Sequence, residues 1–184
     1  FHRFIPGIEN KISVIPNALP IGFQPVSREV GLRRVSTELG IRKPYLLTVG
    51  TRWPRKNMQL ATEAFRLLGS EDLDLVVTGK PGWGELDMPP GVAATGYVPD
   101  DLRPSLYAGA ELYLAPSRCE GFGIPLFDAW ASDWPVLCSS GPAFPEVAGD
   151  GAYVEDSWEA AQWAATIHKL LADSGKLQEL RVRG

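Results

Sequence analysis

Short apolar runs punctuate this chain, and most are followed by a longer segment whose apolar residues recur every three or four positions. The runs at 45–49, 73–77, 92–95, 111–114, 136–138 and 152–154 read as buried strands. A shorter candidate at 11–15 ends at Pro16 and Asn17, where the asparagine can serve as a turn residue. A charged surface helix is predicted over 27–41 and closed by Gly40. Asn57 can cap the next helix, whose apolar positions 60, 61, 64, 65 and 68 share one face before Gly69 stops it. Further helices are expected over 102–110, after Pro125 and, briefly, around Glu146. A last helix opens with Asp156 and Glu159 at capping-box spacing, buries 160, 163, 164, 167, 170 and 171, and stops near Gly175. Residues 80–91 hold three prolines and three glycines and read as a loop.

Strands alternating with helices predict an α/β fold, a Rossmann-like three-layer arrangement of a parallel sheet with helices on both faces. Ligands in such folds sit beyond the carboxyl ends of the strands. The stretch after 111–114 is built for that position. It runs through a polar turn, the glycines Gly121 and Gly123, and then Pro125 at a helix start, where a missing N–H costs nothing. The free amides of a first helical turn, backed by the helix dipole, attract phosphate. Glu120 stands in this turn and Asp128 eight residues later, about two turns into the helix. Two acceptors beside a phosphate site suit a ligand that carries both phosphate and hydroxyls, as a nucleotide sugar does. The bland alternatives are a tight turn with a helix-start carboxylate at Glu120 and an exposed helix residue at Asp128.

The loop after the run at 45–49 holds Arg52, Arg55 and Lys56 just before a helix. Cations oppose the dipole there, so a bound anion would relieve the conflict; a solvated basic loop is the plain alternative. The signatures of a P-loop and of a dinucleotide fingerprint are absent, and no Asp-x-Asp stands at a strand end to bind a metal–diphosphate. Asp72 and Asp74 flank Leu73 at the start of their strand, not its carboxyl end. Charge neutralisation is therefore expected from cations and dipole, with no metal and no cofactor.

At 184 residues the chain suits one well-buried domain, and its net charge of −4 gives no basic field for nucleic acid. Cys119 and Cys138 lack C-x-x-C spacing and have only two histidines for company, so neither zinc nor a disulfide framework is suggested. A reducing, cytoplasmic setting is the expectation, and no run approaches the ~18 apolar residues of a membrane span. A chain that opens at Phe1 and stops amid Arg181 and Arg183 reads as a piece of a longer protein.

Glu120-Gly121-Phe122-Gly123-Ile124-Pro125-Leu126-Phe127-Asp128-Ala129 resembles the E-G-F-G-x-P-x-x-E-A signature of the family 4 retaining glycosyltransferases. Collinear matches at Val14-Ile15-Pro16-Asn17, Val49-Gly50, Arg55-Lys56-Asn57, Gly96-Tyr97-Val98, Pro116-Ser117 and Pro145-Glu146-Val147-Ala148-Gly149 extend the resemblance along the chain. It implies the carboxy-terminal, donor-binding half of a two-domain GT-B fold. Residues 1–20 would be the interdomain linker and first strand, and 21–184 the donor domain. The partner would be the protein's own amino-terminal acceptor domain, through which peripheral membrane association is expected. The fragment alone would transfer nothing.

By the same resemblance Lys56 and Arg55 hold the donor diphosphate and Glu120 binds the transferred sugar, making these the catalytic candidates. The arginine usual after the family's glycine is Thr51 here, so Arg52 or Arg55 would serve beside Gly50. Gly121, Phe122, Gly123 and Ile124 would offer amides, and Gly96, Tyr97 and Val98 would pack the base. Gly79 and Lys80 could line the same cleft. Asp128 stands for the ribose-binding glutamate, one methylene shorter. Asp133 replaces a usual glycine but tolerates left-handed geometry, so a helix stop is expected there. The implied activity is retaining transfer of a hexose, with mannose from a guanosine donor favoured by Pro54-Arg55-Lys56-Asn57. The alternatives are a non-catalytic nucleotide-sugar-binding module and half of a nucleotide-sugar epimerase.

Overall fold

The structure, a computed structural model, describes residues 11–19, 22–83 and 86–184. The expected linker over 1–20 therefore falls largely outside the described residues, as do positions 84 and 85 of the expected loop. The strands β1 (Tyr45–Val49), β2 (Asp74–Thr78), β3 (Val92–Gly96), β4 (Leu112–Ala115), β5 (Val136–Ser139) and β6 (Tyr153–Glu155) pair in parallel throughout. Their spatial order is β3-β2-β1-β4-β5-β6. The chain winds outward from β1 in one direction and then from β4 in the other. The crevice at this switch, beyond the carboxyl ends of β1 and β4, is where such sheets bind ligands.

The helices are α1 (Arg28–Leu39), α2 (Met58–Leu68), α3 (Arg103–Gly109), α4 (Ile124–Ala131), α5 (Phe144–Ala148), α6 (Ala160–Ala172) and α7 (Ser174–Arg183). Alternate residues of each strand point to opposite faces, and the sheet accordingly separates two cores. Tyr45, Leu47, Val76, Tyr113 and Val136 pack with Val35 of α1, Leu106 of α3, Leu126 of α4 and Phe144 of α5. Leu46, Leu75, Val77, Leu112 and Leu137 pack with Phe65 of α2, Trp163 and Ile167 of α6 and Leu180 of α7. Burial on both faces is why the central strands β1, β4 and β5 are nearly continuous apolar runs rather than alternating ones.

Helix stops fall where the sequence places them. Gly40 and Gly69 take left-handed φ values of 73° and 65°. Asp133 does the same at φ 57°, the conformation expected of it. α1 is charged outside, but it is not merely superficial: Gly31 lies where a Cβ would meet the Ser105 carbonyl at 2.9 Å, so α1 packs closely on α3.

Four local expectations are corrected. Residues 12–19 form no strand; no strand of the sheet pairs with them, and Val14 and Ile15 are exposed. Asn57 precedes α2 but gives it no side-chain cap, because left-handed geometry directs its N–H back to the Pro54 carbonyl. The predicted capping box before α6 does not form. Instead Glu155 accepts from the Ser157 amide and Ser157 from the Glu159 amide. The final helical region does not end near Gly175. It breaks at Asp173, whose carboxylate accepts from the Lys176 amide at 2.8 Å and starts α7. Only Leu180 of α7 is buried, so its sequence carries almost no amphipathic signal.

Candidate functional site

Backbone bonding does not stop where the central strands end. Gly50 donates to the Thr78 carbonyl at 2.9 Å, Gly79 to the Gly96 carbonyl at 2.8 Å, and Arg52 to the Lys80 carbonyl at 3.1 Å. Gly79 has φ 132°, and a Cβ there would lie 2.0 Å from the Gly50 carbonyl oxygen. Only glycine allows these loops to run side by side.

The loop after β1 then tightens into a 3₁₀ turn, Pro54–Lys56. Its last residue sends its side chain back across Gly50: a Cβ on Gly50 would be 3.1 Å from Lys56 Cε. Lys56 Nζ reaches Glu120 Oε1 at 2.5 Å, and the Arg55 guanidinium meets Glu120 Oε2 at 3.0 Å. Ser117 Oγ donates to Glu120 Oε1 at 2.7 Å. The same Arg55 also donates to the Cys119 carbonyl, and the Arg118 amide donates to the Arg55 carbonyl at 2.7 Å. Two loops remote in sequence are thus joined through one carboxylate. Burial opposes the charge on Glu120. The hydrogen bonds from Lys56 and Ser117, with the charges of Lys56 and Arg55, outweigh it and hold the carboxyl below its ordinary value.

Beside this cluster Gly123 starts α4 at φ 101°. A Cβ there would press on the Phe144 ring at 2.8 Å, so both conformation and space demand glycine. Lys56, Glu120 and residues 121–125, with Asn17, line an open cleft of about 470 Å³. The predicted lysine and the glycine-rich helix start therefore share one hollow. Of its lining charges Lys56 and Glu120 offset each other, and Arg55 meets the far oxygen of Glu120, next to the free amides of a helix start.

Other candidates lie elsewhere. Thr51 stays in the loop, and Arg52 lines a second depression with Trp53, Trp83 and Arg118 rather than the cleft beside Glu120. Gly96, Tyr97 and Val98 stand at the end of β3, three inter-strand spacings or about 14 Å from β4. Tyr97 is exposed, with Lys80 Nζ 5.5 Å above its ring, while Val98 is buried.

Asp128 departs most from expectation. It is neither an exposed helix residue nor part of the cleft lining; its side chain is only 5% exposed. Arg103 Nε stands 3.4 Å from Oδ2, and Arg103 is held in turn by Asp100. Asp128 Oδ1 and the Tyr107 hydroxyl are both buried without a hydrogen-bond partner among the described residues. Burial raises the Asp128 pKa; Arg103 opposes that rise and Asp100 adds to it. Sequence reasoning missed Arg103, which lies 25 residues before Asp128 on another helix and carries no local signal. Ser117 could have been found, since a hydroxyl three residues before Glu120 in a tight turn is a natural neighbour.

The profile described as glycosyl transferases group 1 matches residues 43–173, and the chain belongs to this family. It is 35% identical over 152 residues to the O-antigen chain mannosyltransferase B of Escherichia coli. That match takes in 76% of this chain and 40% of the relative, so the chain spans well under half the length of that protein. Among solved structures it resembles Anabaena Alr3699/HepE in complex with UDP and glucose, with a TM-score of 0.80 at 19% identity over 93% of this chain and 50% of that one. The C-terminal domain of a glycosyl transferase group 1 family protein (LpcC) from Francisella tularensis gives a TM-score of 0.71 at 23% identity, covering 86% of this chain and 90% of that one. These likenesses make the fold that of one half of a GT-B glycosyltransferase.

Proposed function

We propose that this chain is the donor-nucleotide half of a retaining glycosyltransferase, moving mannose from a guanosine diphosphate donor to a saccharide acceptor. The observation that carries the reading is the single hollow shared by Lys56, Glu120 and the amides at the start of α4. The diphosphate lies between the Lys56 ammonium and those amides, with Arg55 alongside. Glu120 accepts hydrogen bonds from the sugar hydroxyls, and the nucleoside extends along the strand ends toward Tyr97. Transition-state charge develops on the departing phosphate, where preorganised cations and amides act most strongly. Such a donor set meets the charge without a divalent ion, so chelator treatment leaves transfer intact. Mannose is supported by the similarity to the E. coli O-antigen mannosyltransferase. An amino-terminal domain supplies the part of the acceptor site nearest the reacting centre, and the setting is cytoplasmic with peripheral membrane association through that domain.

The deciding experiment compares the full-length protein with Lys56→Ala and Glu120→Ala in a transfer assay with GDP-mannose, folding being followed by circular dichroism. Folded variants that no longer transfer support the proposal; variants as active as the parent overturn it. One observation favours a second reading, a non-catalytic nucleotide-sugar-binding module: the acid expected at the ribose is buried against Arg103. That reading requires a full-length parent that binds nucleotide and transfers nothing to any acceptor.

A further inference from the structure

The 50–57 loop also lines a second recess, of about 370 Å³, which shares no lining residue with the cleft and falls within the size range of small-molecule sites, roughly 300–1,000 Å³. Its walls are the indoles of Trp53 and Trp83 and the side chains of Arg52 and Arg118, with Asn57 and Gln59 among its polar groups. Trp83 is 84% exposed and Trp53 47%, a costly placement for such large rings unless something covers them. The recess is built rather than incidental. Gly82 lies where a Cβ would be 2.0 Å from the Arg52 carbonyl oxygen and 3.0 Å from Trp53 Cδ1, so the two loops are pressed together under the indoles. The arginines are placed against aromatic faces. Arg55 stands 5.2 Å over Trp53, and Arg118 5.7 Å over Trp158, another half-exposed tryptophan. Neither Arg52 nor Arg118 has a carboxylate partner among the described residues.

We propose that this recess is a saccharide subsite that holds the acceptor glycan outside the donor cleft. Flat indole faces with guanidinium and amide groups around them match the chemistry of a sugar ring, which offers an apolar C–H face and a rim of hydroxyls. The position argues for the acceptor. Arg118 is two residues from Glu120, at most about 7 Å along the chain, and its amide is bonded to the Arg55 carbonyl. A glycan whose reacting end lies by Glu120 reaches the recess by crossing one loop. A membrane surface fits less well, because the feature is concave and its indoles are flanked by arginines and amides rather than by a convex apolar face. The overall charge of −4 disfavours nucleic acid.

The proposal rests on the glycosyltransferase reading, and the test keeps the two apart. The full-length parent, Trp83→Ala and Arg118→Ala are titrated calorimetrically with mannotetraose and, separately, with GDP. The expected result is saturable binding of mannotetraose to the parent, weakened about tenfold or more in each variant, with GDP affinity unchanged. Trp83 is nearly fully exposed, so its loss leaves the fold intact. No saturable sugar binding, or equal binding by parent and variants, overturns the subsite. So does a recess whose variants lose affinity only for phosphatidylglycerol vesicles. Sugar binding by a parent that ignores GDP would uphold the subsite and sink the donor assignment.

Discussion

Glu120 and Asp128 sit eight residues apart on either side of one helix start, and the fold treats them in opposite ways. Glu120 has a lysine, an arginine and a hydroxyl within hydrogen-bonding reach, and its ionised form is favoured. Asp128 has one arginine at 3.4 Å and an oxygen with no partner among the described residues, and burial holds its pKa above the ordinary aspartate value. Both are poorly exposed, so depth alone does not set the difference. It follows from how many donors each environment supplies to offset desolvation. The contrast separates a carboxylate that lines the cleft from one embedded in the packing between α3 and α4.

The largest effect expected is on chemistry at Glu120's end. Lys56→Ala should lower transfer by about 100- to 1,000-fold in the full-length protein, the range for losing one preorganised charge-stabilising group. Its midpoint of thermal unfolding should move little, because Arg55 and Ser117 still satisfy Glu120. A large loss of stability with activity retained would reverse the roles assigned to the two acids. At the other end Arg103→Met strands Asp128 in a buried setting. It should destabilise the fold by about 1–3 kcal/mol in urea titrations while leaving GDP affinity unchanged. Loss of nucleotide affinity there would make Asp128 part of the ligand site.

A subtler probe installs the acid expected by resemblance. Asp128→Glu adds a methylene to a packed position and should cost about 1 kcal/mol, with no gain in nucleoside diphosphate affinity. A gain would show that position 128 reaches the ribose after all. The smallest effect is a difference in sign. Glu120's folded pKa is depressed, so its contribution to stability is present above the ordinary glutamate value and lost as pH falls through the folded one. Asp128's folded pKa is raised, so its contribution is present below the ordinary aspartate value and lost as pH rises through the folded one. Unfolding the parent, Glu120→Gln and Asp128→Asn between about pH 3 and 7 should give stability differences that slope in opposite directions. Parallel slopes would erase the contrast.

Most of the fold was legible because the central strands are largely apolar runs and helices such as α2 and α6 carry an apolar stripe. The run at 45–49 and the helix at 60–68 show both signals at once. Where that logic was thin the reading failed. Residues 11–15 have a strand's composition but no sheet edge to join, and α7 buries one leucine. The cleft was readable because glycine, proline and lysine positions record backbone demands locally. Gly123 needs its φ and its space, and Lys56 needs the bare surface of Gly50. The fate of Asp128 was not readable, since it depends on an arginine brought in by another helix. Nor was the recess at Trp83, which exists only because Gly82 lets two loops touch.

The hydrogen-bond rail that continues past the ends of β1 and β2 has a mechanical consequence. Gly50, Arg52 and Gly79 are fastened to neighbours before any nucleotide arrives, so these strand-end loops hold their shape without a ligand. Any closing motion over a bound ligand must then come from elements other than these loops. Amide exchange at Gly50 and Gly79 should be as slow as in the strands themselves, whether or not nucleotide is present.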